Sequence, residues 1–238
     1  MTRILAIETS SDACSVAISD GEVNYSFHEL MPRQHTEALI GVIDDLLNSA
    51  SLDIKDLDAV AVGCGPGSFT GLRIAMAAAK GLAITHTIPL IGISCFEAVA
   101  QRVNQGDITS PYDLLLIALN SKREDPYIEC RDSQNKKVIS GGAINSDLFF
   151  VKLKKLIGRD TNIRVVGDGS ERLLERAPAD IYDNFLAVNE KDKEPLNVCD
   201  VARCAFNETS NSIENIRKNM PRLTIDYLRS PDFTLSKN

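Results

Sequence analysis

The residues best suited to chemistry lie in a glycine loop that joins an apolar strand to a helix of small residues. Gly65 and Gly67 allow backbone conformations that a Cβ atom disfavours, and Ser68 or Thr70 can accept a hydrogen bond from the unpaired amides of the next turn. Such a junction can bind a phosphate, because the first amides of a helix are free and the helix dipole is positive there. It can equally be a tight turn with a good cap. The spacing of Gly65, Gly67 and Gly71 matches neither the Walker nor the dinucleotide-binding pattern, and we favour a structural role for all five residues.

The composition indicates a soluble protein of a reducing compartment. The chain has 238 residues, enough for one large domain or two lobes with a sizeable core. Its six cysteines include no Cys-x-x-Cys pair, so we expect reduced thiols and no zinc site. Near the N-terminus only residues 4–7 form an apolar run, which is too short for a signal peptide or a membrane span. We therefore expect a cytoplasmic protein that does not attach to membranes.

The charge distribution argues against autonomous binding of nucleic acid. The formal net charge is −7, whereas affinity for a phosphate backbone comes mainly from clustered Lys and Arg. One local exception is a basic cluster, which fits either the solvated face of a helix or a patch for RNA. It consists of Lys152, Lys154, Lys155, Arg159 and Arg164. We favour the solvated face.

The order of the predicted elements indicates an α/β protein with two lobes. Three strands in a meander are followed by a helix over about 36–49, by the strand-loop-helix segment and by further alternating strands and helices. This order is typical of half of an actin- and sugar-kinase-like fold. Residues 104–112 are rich in turn-forming side chains and mark a boundary. We predict an N-terminal lobe over 1–107 and a smaller C-terminal lobe over 108–238, whose last helix and tail can pack back on the first lobe.

Four segments carry a close resemblance to one bacterial family. They are residues 4–10, 34–37, 65–74 and 221–235, and their order and separation argue against coincidence. On these motifs the chain resembles the TsaB (YeaZ) family over nearly its full length. The resemblance implies an actin- and sugar-kinase-like (ASKHA) fold and a role in making threonylcarbamoyladenosine in tRNA.

The same resemblance implies that the chain is not itself an enzyme. It would pair with a TsaD-like transferase, which carries the metal and transfers the threonylcarbamoyl group. The pairing would use two first-lobe helices of this chain, which would form a four-helix bundle with two helices of the transferase. A TsaE-like ATPase is expected to join the pair, and tRNA would be contacted at most indirectly. An isolated chain could form a homodimer through the same helices, because an orphaned apolar surface tends to be covered.

Both predicted helices of the first lobe are apolar on most sides. This fits either coverage by the sheet and neighbouring helices or a helix-on-helix protein interface, and the resemblance favours the interface. The predicted partner-binding residues are Leu39, Ile40, Ile43, Leu47, Arg73, Met76, Ala77 and Lys80. Replacing Ile43 or Ala77 with Arg is expected to abolish pairing while the chain stays folded.

The residues give little support to a catalytic site in this chain. The metal-binding histidine pair of the catalytic relatives is not matched, because Leu39 stands four residues after His35. Nucleotide binding, which is common in this fold, would use two turns, with Thr9, Ser10, Ser11, Gly167, Asp168 and Gly169 as candidate residues. No evident carboxylate set for holding a metal accompanies these turns. An ATP-dependent small-molecule kinase and a metallohydrolase of the old glycoprotease type are the alternatives, and we expect no cofactor.

Residues 121–127 depart from the family pattern. Pro126 lies within this stretch and cannot donate a hydrogen bond to a strand ladder. We predict a hairpin from residues 127–131 and 137–140, and we expect it to be distorted near Pro126 or to lie at the edge of a sheet.

Overall fold

Two mixed β-sheets, one in each half of the chain, form the framework of the protein. The computed structural model describes residues 2–31, 35–105 and 111–209. The predicted motif at 221–235 lies outside these residues, as does most of the predicted boundary at 104–112. The division into lobes 1–107 and 108–238 therefore stays a prediction.

The first sheet has five strands in the order β3-β2-β1-β4-β5. The strands are β1 (Ile4–Glu8), β2 (Ala13–Ser19), β3 (Val23–Leu30), β4 (Ala59–Gly63) and β5 (Leu90–Ile93). β1 pairs antiparallel with β2 and parallel with β4. Every residue of β1 and β4 is buried, which explains their continuous apolar sequences, because helices cover both faces of the sheet.

Helices from both halves of the chain cover the first sheet. They are α1 (His35–Ser49), α2 (Phe69–His86), α3 (Cys95–Gln105) and α6 (Val198–Thr209). α1 and α2 pack on one face of the sheet, and α3 and α6 pack on the other. The last described helix of the second half thus lies on the sheet of the first half.

The second sheet has four strands in the order β8-β7-β6-β9. Its elements are β6 (Leu114–Leu119), β7 (Tyr127–Asp132), β8 (Lys137–Gly142), α4 (Ser146–Leu153), β9 (Ile163–Val166) and α5 (Ser170–Leu174). Phe149 and Phe150 of α4 fill the core on one face of this sheet. The two sheets with flanking helices confirm the prediction of a two-lobed actin- and sugar-kinase-like α/β fold.

The junction between the lobes is both apolar and charged. Phe96 of α3, Leu115 of β6 and Val201 of α6 belong to one buried cluster. Beside it the guanidinium of Arg131, 1% exposed, lies 2.6 Å from a carboxylate oxygen of Glu97 on α3 and pairs with Glu129 on its own strand. The lobes therefore share a core and do not merely touch.

In the described ranges, no helix has both the length and the apolar character needed to cross a membrane.

Candidate interaction surface and interlobe cleft

The glycine junction fastens the end of β1 to the first turn of α2. The hydroxyl of Thr9 donates to the carbonyl oxygen of Gly71 at 2.8 Å, and the amide of Ser68 donates to the carbonyl oxygen of Ser10 at 2.6 Å. The side chain of Ser68 caps α2 by accepting from the amide of Gly71 at 3.2 Å. A Cβ at Gly71 would lie 1.8 Å from the carbonyl oxygen of Thr9. These contacts require glycine at 71 and use the amides of Ser68 and Gly71 inside the protein.

The preceding loop also depends on close backbone approach. Gly65 has a φ of +107° and accepts a hydrogen bond from the amide of Cys95 at 2.8 Å. A Cβ at Gly67 would lie 2.4 Å from the Cβ of Ser10. Thr70 differs from the other four predicted loop residues, because it is exposed within α2 and lines a surface groove.

A buried carboxyl lies under this junction. Glu8 is 2% exposed, and its Oε1 accepts a hydrogen bond from the amide of Ser10. Its Oε2 has no hydrogen-bond partner, and a Cβ at Gly63 would lie 1.9 Å from it. Burial raises the pKa of Glu8, and the hydrogen bonds with Ser10 oppose that rise only in part. The site favours the protonated form of Glu8.

A cleft of about 350 Å³ separates the two lobes. Ser10, Ser11 and Ser68 line it from the first lobe, and Asn120 and Asp168 line it from the second. The ammonium group of Lys122 crosses the cleft and forms an ion pair with the carboxylate of Asp12. The cleft therefore has polar groups on both sides among apolar lining residues, and an ion pair bridges it.

The six candidate nucleotide-binding residues divide into two groups. Ser10, Ser11 and Asp168 line the cleft, whereas Thr9, Gly167 and Gly169 do not. The amide of Gly167 donates to the carbonyl oxygen of Asp192 at 2.6 Å, and the amide of Gly169 donates to that of Ala118 at 3.0 Å. The two glycine amides are thus engaged inside the second lobe.

Asp168 has a structural partner of its own. It accepts a hydrogen bond from the amide of Asn120 at 2.9 Å. The carboxyl thereby ties the turn before α5 to the end of β6.

The loop between β6 and β7 is ordered by its own polar side chains. The hydroxyl of Ser121 donates to the carbonyl oxygen of Asp125 at 2.5 Å, and Lys122 has a φ of +57°. Pro126 lies just before β7, an inner strand whose ladder with β6 starts at Tyr127. Pro126 itself stands outside the ladder and removes no donor from it. The expected distortion lies in the hairpin of β7 and β8, where the register shifts between Ile128 and Cys130, and β8 is an edge strand of the sheet.

The eight predicted partner-binding residues fall on both sides of α1 and α2. Leu39, Ile43, Leu47 and Met76 are at most 5% exposed and pack into the core on the sheet. The burial of Ile43 argues against the expectation that Ile43→Arg leaves the chain folded, because the substitution would bury an unpaired charge. Ile40, Arg73, Ala77 and Lys80 are exposed. Sequence reasoning identified the helices but did not separate their two faces, because apolar Ile40 and Ala77 lie on the exposed faces among polar residues.

Five of the exposed residues of α2 form one stripe, which we call the α2 stripe. It consists of Thr70, Arg73, Ala77, Lys80 and Ile84, which recur at spacings of three and four and so share one helical face. Ile84 is 77% exposed. Ile40 of α1 is 51% exposed and lines, with the first part of the α2 stripe, a groove of about 420 Å³ between the two helices. The guanidinium of Arg73 lies 3.8 Å above the ring of Phe69 at the groove.

Among the described residues, side chains that could bind a metal ion do not cluster, and the thiol in the cleft is not activated. In the part of the chain that the structure describes, no three His, Cys, Asp or Glu side chains are placed so that they could hold a metal ion. Cys95 lines the interlobe cleft but is buried, and burial raises the pKa of its thiol well above the ordinary value. A raised pKa disfavours the thiolate, which is the nucleophilic form.

Sequence comparison points to one group of proteins. The family model for TsaD, tRNA N6-adenosine threonylcarbamoyltransferase, matches residues 27–128. The tRNA threonylcarbamoyladenosine biosynthesis protein TsaB of Escherichia coli strain K12 is 47% identical over 100 residues, which are 42% of this chain and 43% of that protein. The protein of the same name from Buchnera aphidicola subsp. Schizaphis graminum is 30% identical over 211 residues, covering 87% of this chain and 94% of that protein.

Solved structures support the same fold. A Pseudomonas aeruginosa protein described as similar to peptidase YEAZ superposes with a TM-score of 0.68 at 22% identity, covering 96% of this chain and 100% of that chain. A Listeria monocytogenes protein that has been proposed to be an N-acetylmannosamine kinase superposes with a TM-score of 0.51 at 11% identity, covering 87% of this chain and 100% of that chain. The match to the Buchnera protein extends over nearly its whole length, and on that basis the chain belongs to the TsaB (YeaZ) family of tRNA threonylcarbamoyladenosine biosynthesis proteins.

Proposed function

We propose that this chain is a non-catalytic subunit that pairs with a TsaD-like transferase and completes it. The transferase would carry the chemistry, the transfer of a threonylcarbamoyl group to the tRNA adenosine next to the anticodon. The observation that carries the proposal is the α2 stripe with its neighbouring groove. This is a helical surface with exposed Ile40, Ala77 and Ile84 on a lobe whose core is already complete.

The shape of this surface suits a partner made of helices. Ala77 lies in the middle of the α2 stripe, where a small side chain lets a second helix approach closely. The groove beside it is lined mainly by apolar side chains, including Leu39, Ile40 and Ile74, and has room for a large apolar side chain of the partner. Two helices from each protein would supply the area of a standard interface, about 1,600 Å² in total.

The charges of the chain support a division of labour with the partner. A net charge of −7 disfavours tight binding of tRNA by this chain alone, so the transferase would hold most of the RNA. The α2 stripe carries two cations, Arg73 and Lys80, which can meet acidic side chains at the rim of an interface.

In the proposal a TsaE-like ATPase docks on the pair. The isolated chain forms a homodimer through the same face, and the complex works in the cytoplasm.

The test is co-purification of the tagged chain with the TsaD-like transferase of the same cell after co-expression. Ala77→Arg places a long charged side chain in the middle of the α2 stripe and is expected to abolish co-purification. Ala187→Arg is the matched control, because Ala187 is also exposed but lies in the second lobe. Far-UV circular dichroism should show both variants folded. Retention of the transferase by folded Ala77→Arg would contradict the proposal.

A further inference from the structure

The outer face of α4 carries apolar side chains that the fold does not use. Phe149, Phe150 and Leu153 of this helix are at most 1% exposed and complete the core of the second lobe. Leu148 and Val151 point the other way and are 61% and 55% exposed. Leu156, in the turn that continues the helix, is 49% exposed. A solvated helix face normally carries polar residues at such positions.

Two cations stand on the same face as these apolar residues. Lys152 follows Leu148 by four residues within α4 and so lies on the same side of the helix, and Lys155 lies in the turn that directly follows α4. Both lysines are exposed, and neither forms an ion pair with the described residues. We call Leu148, Val151, Lys152, Lys155 and Leu156 the α4 surface.

Two of the other three members of the basic cluster are engaged in ion pairs. Lys154 pairs with Asp180 at 2.7 Å, and Arg164 pairs with buried Asp192 at 2.7 Å. Arg159 forms no ion pair with the described residues, but it lies beyond the α4 helix, next to exposed Asp160 in the sequence. The cluster therefore presents two unengaged lysines beside three aliphatic side chains, and does not form a continuous cationic patch.

We propose that the α4 surface is a docking site for an acidic amphipathic segment of a partner protein. Aliphatic anchors of the segment would cover Leu148, Val151 and Leu156, and its carboxylates would face Lys152 and Lys155. The complementary charge is the argument for this occupant, because Lys152 and Lys155 beside an apolar patch attract the carboxylates of an acidic segment and orient it. RNA fits less well, because RNA would leave three aliphatic side chains against phosphates.

The surface is distinct from the proposed transferase interface. The α4 surface belongs to the second lobe, whereas the α2 stripe lies on the first lobe. The inference therefore does not depend on the proposed function, and the two can fail independently.

The experiment is fluorescence anisotropy of the full chain with a labelled helical peptide that has Leu at spacings of three and four and Glu at most other positions. We expect saturable binding that weakens about tenfold or more in Lys152→Glu/Lys155→Glu. Lys55→Glu/Lys136→Glu is the matched control, because it makes the same change in net charge at exposed positions elsewhere. The control and Ala77→Arg should bind the peptide like the natural chain.

A second peptide with Lys in place of Glu should not bind. tRNA and phosphatidylglycerol vesicles should show no binding that depends on Lys152 and Lys155. Absence of binding of the acidic peptide at millimolar concentration overturns the inference. Binding of the acidic peptide that Lys152→Glu/Lys155→Glu leaves unchanged also overturns the inference. Tighter binding of tRNA or vesicles than of the acidic peptide at the α4 surface overturns it as well.

Discussion

Single residues at the β1–α2 junction determine how close the backbones come. Gly71 and Gly81 both lie in α2, but a Cβ at Gly71 would meet the backbone of Thr9, whereas a Cβ at Gly81 has no neighbour within 4 Å. A backbone oxygen cannot rotate away as a flexible side chain can. The two glycines should therefore respond in opposite ways to the same substitution.

We expect Gly71→Ala to lower the free energy of unfolding by roughly 3 kcal/mol, because overpacking forces the backbone to shift. Gly81→Ala should raise it by about 0.5–1 kcal/mol, since alanine is the better helix former. Urea denaturation of both variants provides the comparison. Equal effects of the two substitutions would show that the close approach to Thr9 is not important for stability.

Glu8 should make stability depend on pH in a direction opposite to that of a paired carboxylate. Its folded pKa is raised above the ordinary 4.5 by burial, so the folded protein binds the proton more tightly than the unfolded chain. The stability that Glu8 contributes is present below about pH 4.5 and is lost as the pH rises toward the folded pKa. The loss has a limiting slope of about 1.4 kcal/mol per pH unit.

The measurement is the free energy of unfolding of Glu8→Gln minus that of the natural chain at several pH values above 4.5. This difference should increase with pH, because glutamine does not titrate. Glu22→Gln, at an exposed position, controls for the removed charge. A difference that is flat or falls with pH would show that burial does not disfavour the ionised form of Glu8.

The sequence identified most of these residues by type but not by partner. Gly65, Gly67, Ser68 and Gly71 are conspicuous in the chain because glycine and cap residues mark turns. Glu8 appeared only as part of a matched motif, because nothing local reveals that its carboxyl is enclosed by residues more than fifty positions away. Lys122 was likewise missed as the bridge to Asp12, since that contact depends on how the lobes meet.

At the scale of helices, α1 shows how an element with apolar residues on two sides is divided by its neighbours. Ile43 is 1% exposed and faces the sheet, whereas Ile40, three residues earlier, is 51% exposed. The same helix therefore has one side that serves the core and one side that is available to a partner.

Ile40→Arg and Ile43→Arg separate these two sides. Ile43→Arg should cost about 4 kcal/mol or more, because it buries an unpaired charge, and should give little folded protein. Ile40→Arg should change the free energy of unfolding by less than about 0.5 kcal/mol. Thermal denaturation followed by circular dichroism tests both. A folded Ile43→Arg variant with an unchanged melting temperature would contradict this assignment of faces.

The kind and order of the elements were predictable, because apolar runs of four to eight residues and longer helical patterns have distinct periods. The exposure of each helix face was not. α1, α2 and α4 each carry apolar residues outside the side that faces the core, such as Ile40, Ile84 and Leu148, and only the position of the sheet decides which apolar residues are buried. Leu148 and Val151 on α4 could not be recognised as exposed for the same reason.

At the scale of the whole molecule, the lobes are joined by a continuous core. One buried cluster contains Ile4 of β1, Phe96 of α3, Leu115 of β6 and Val201 of α6. The pair of Arg131 with Glu97 crosses the same junction. Neither lobe can leave the other without exposing apolar surface and a buried charge.

We therefore expect the two lobes to unfold together. Differential scanning calorimetry should give one transition, with a calorimetric enthalpy equal to the van't Hoff enthalpy. Two resolved transitions would indicate that the lobes are independent.

The central claim, that this chain supports catalysis by a partner, is tested most directly by reconstituted modification of tRNA. Purified chain, TsaD-like transferase, TsaE-like ATPase and threonylcarbamoyl-adenylate are mixed with tRNA, and threonylcarbamoyladenosine is measured by mass spectrometry. We predict modification only when the chain and the transferase are both present, and background levels with the chain alone or with Ala77→Arg in its place. Modification by the chain without the transferase, or full activity with folded Ala77→Arg, would contradict the account.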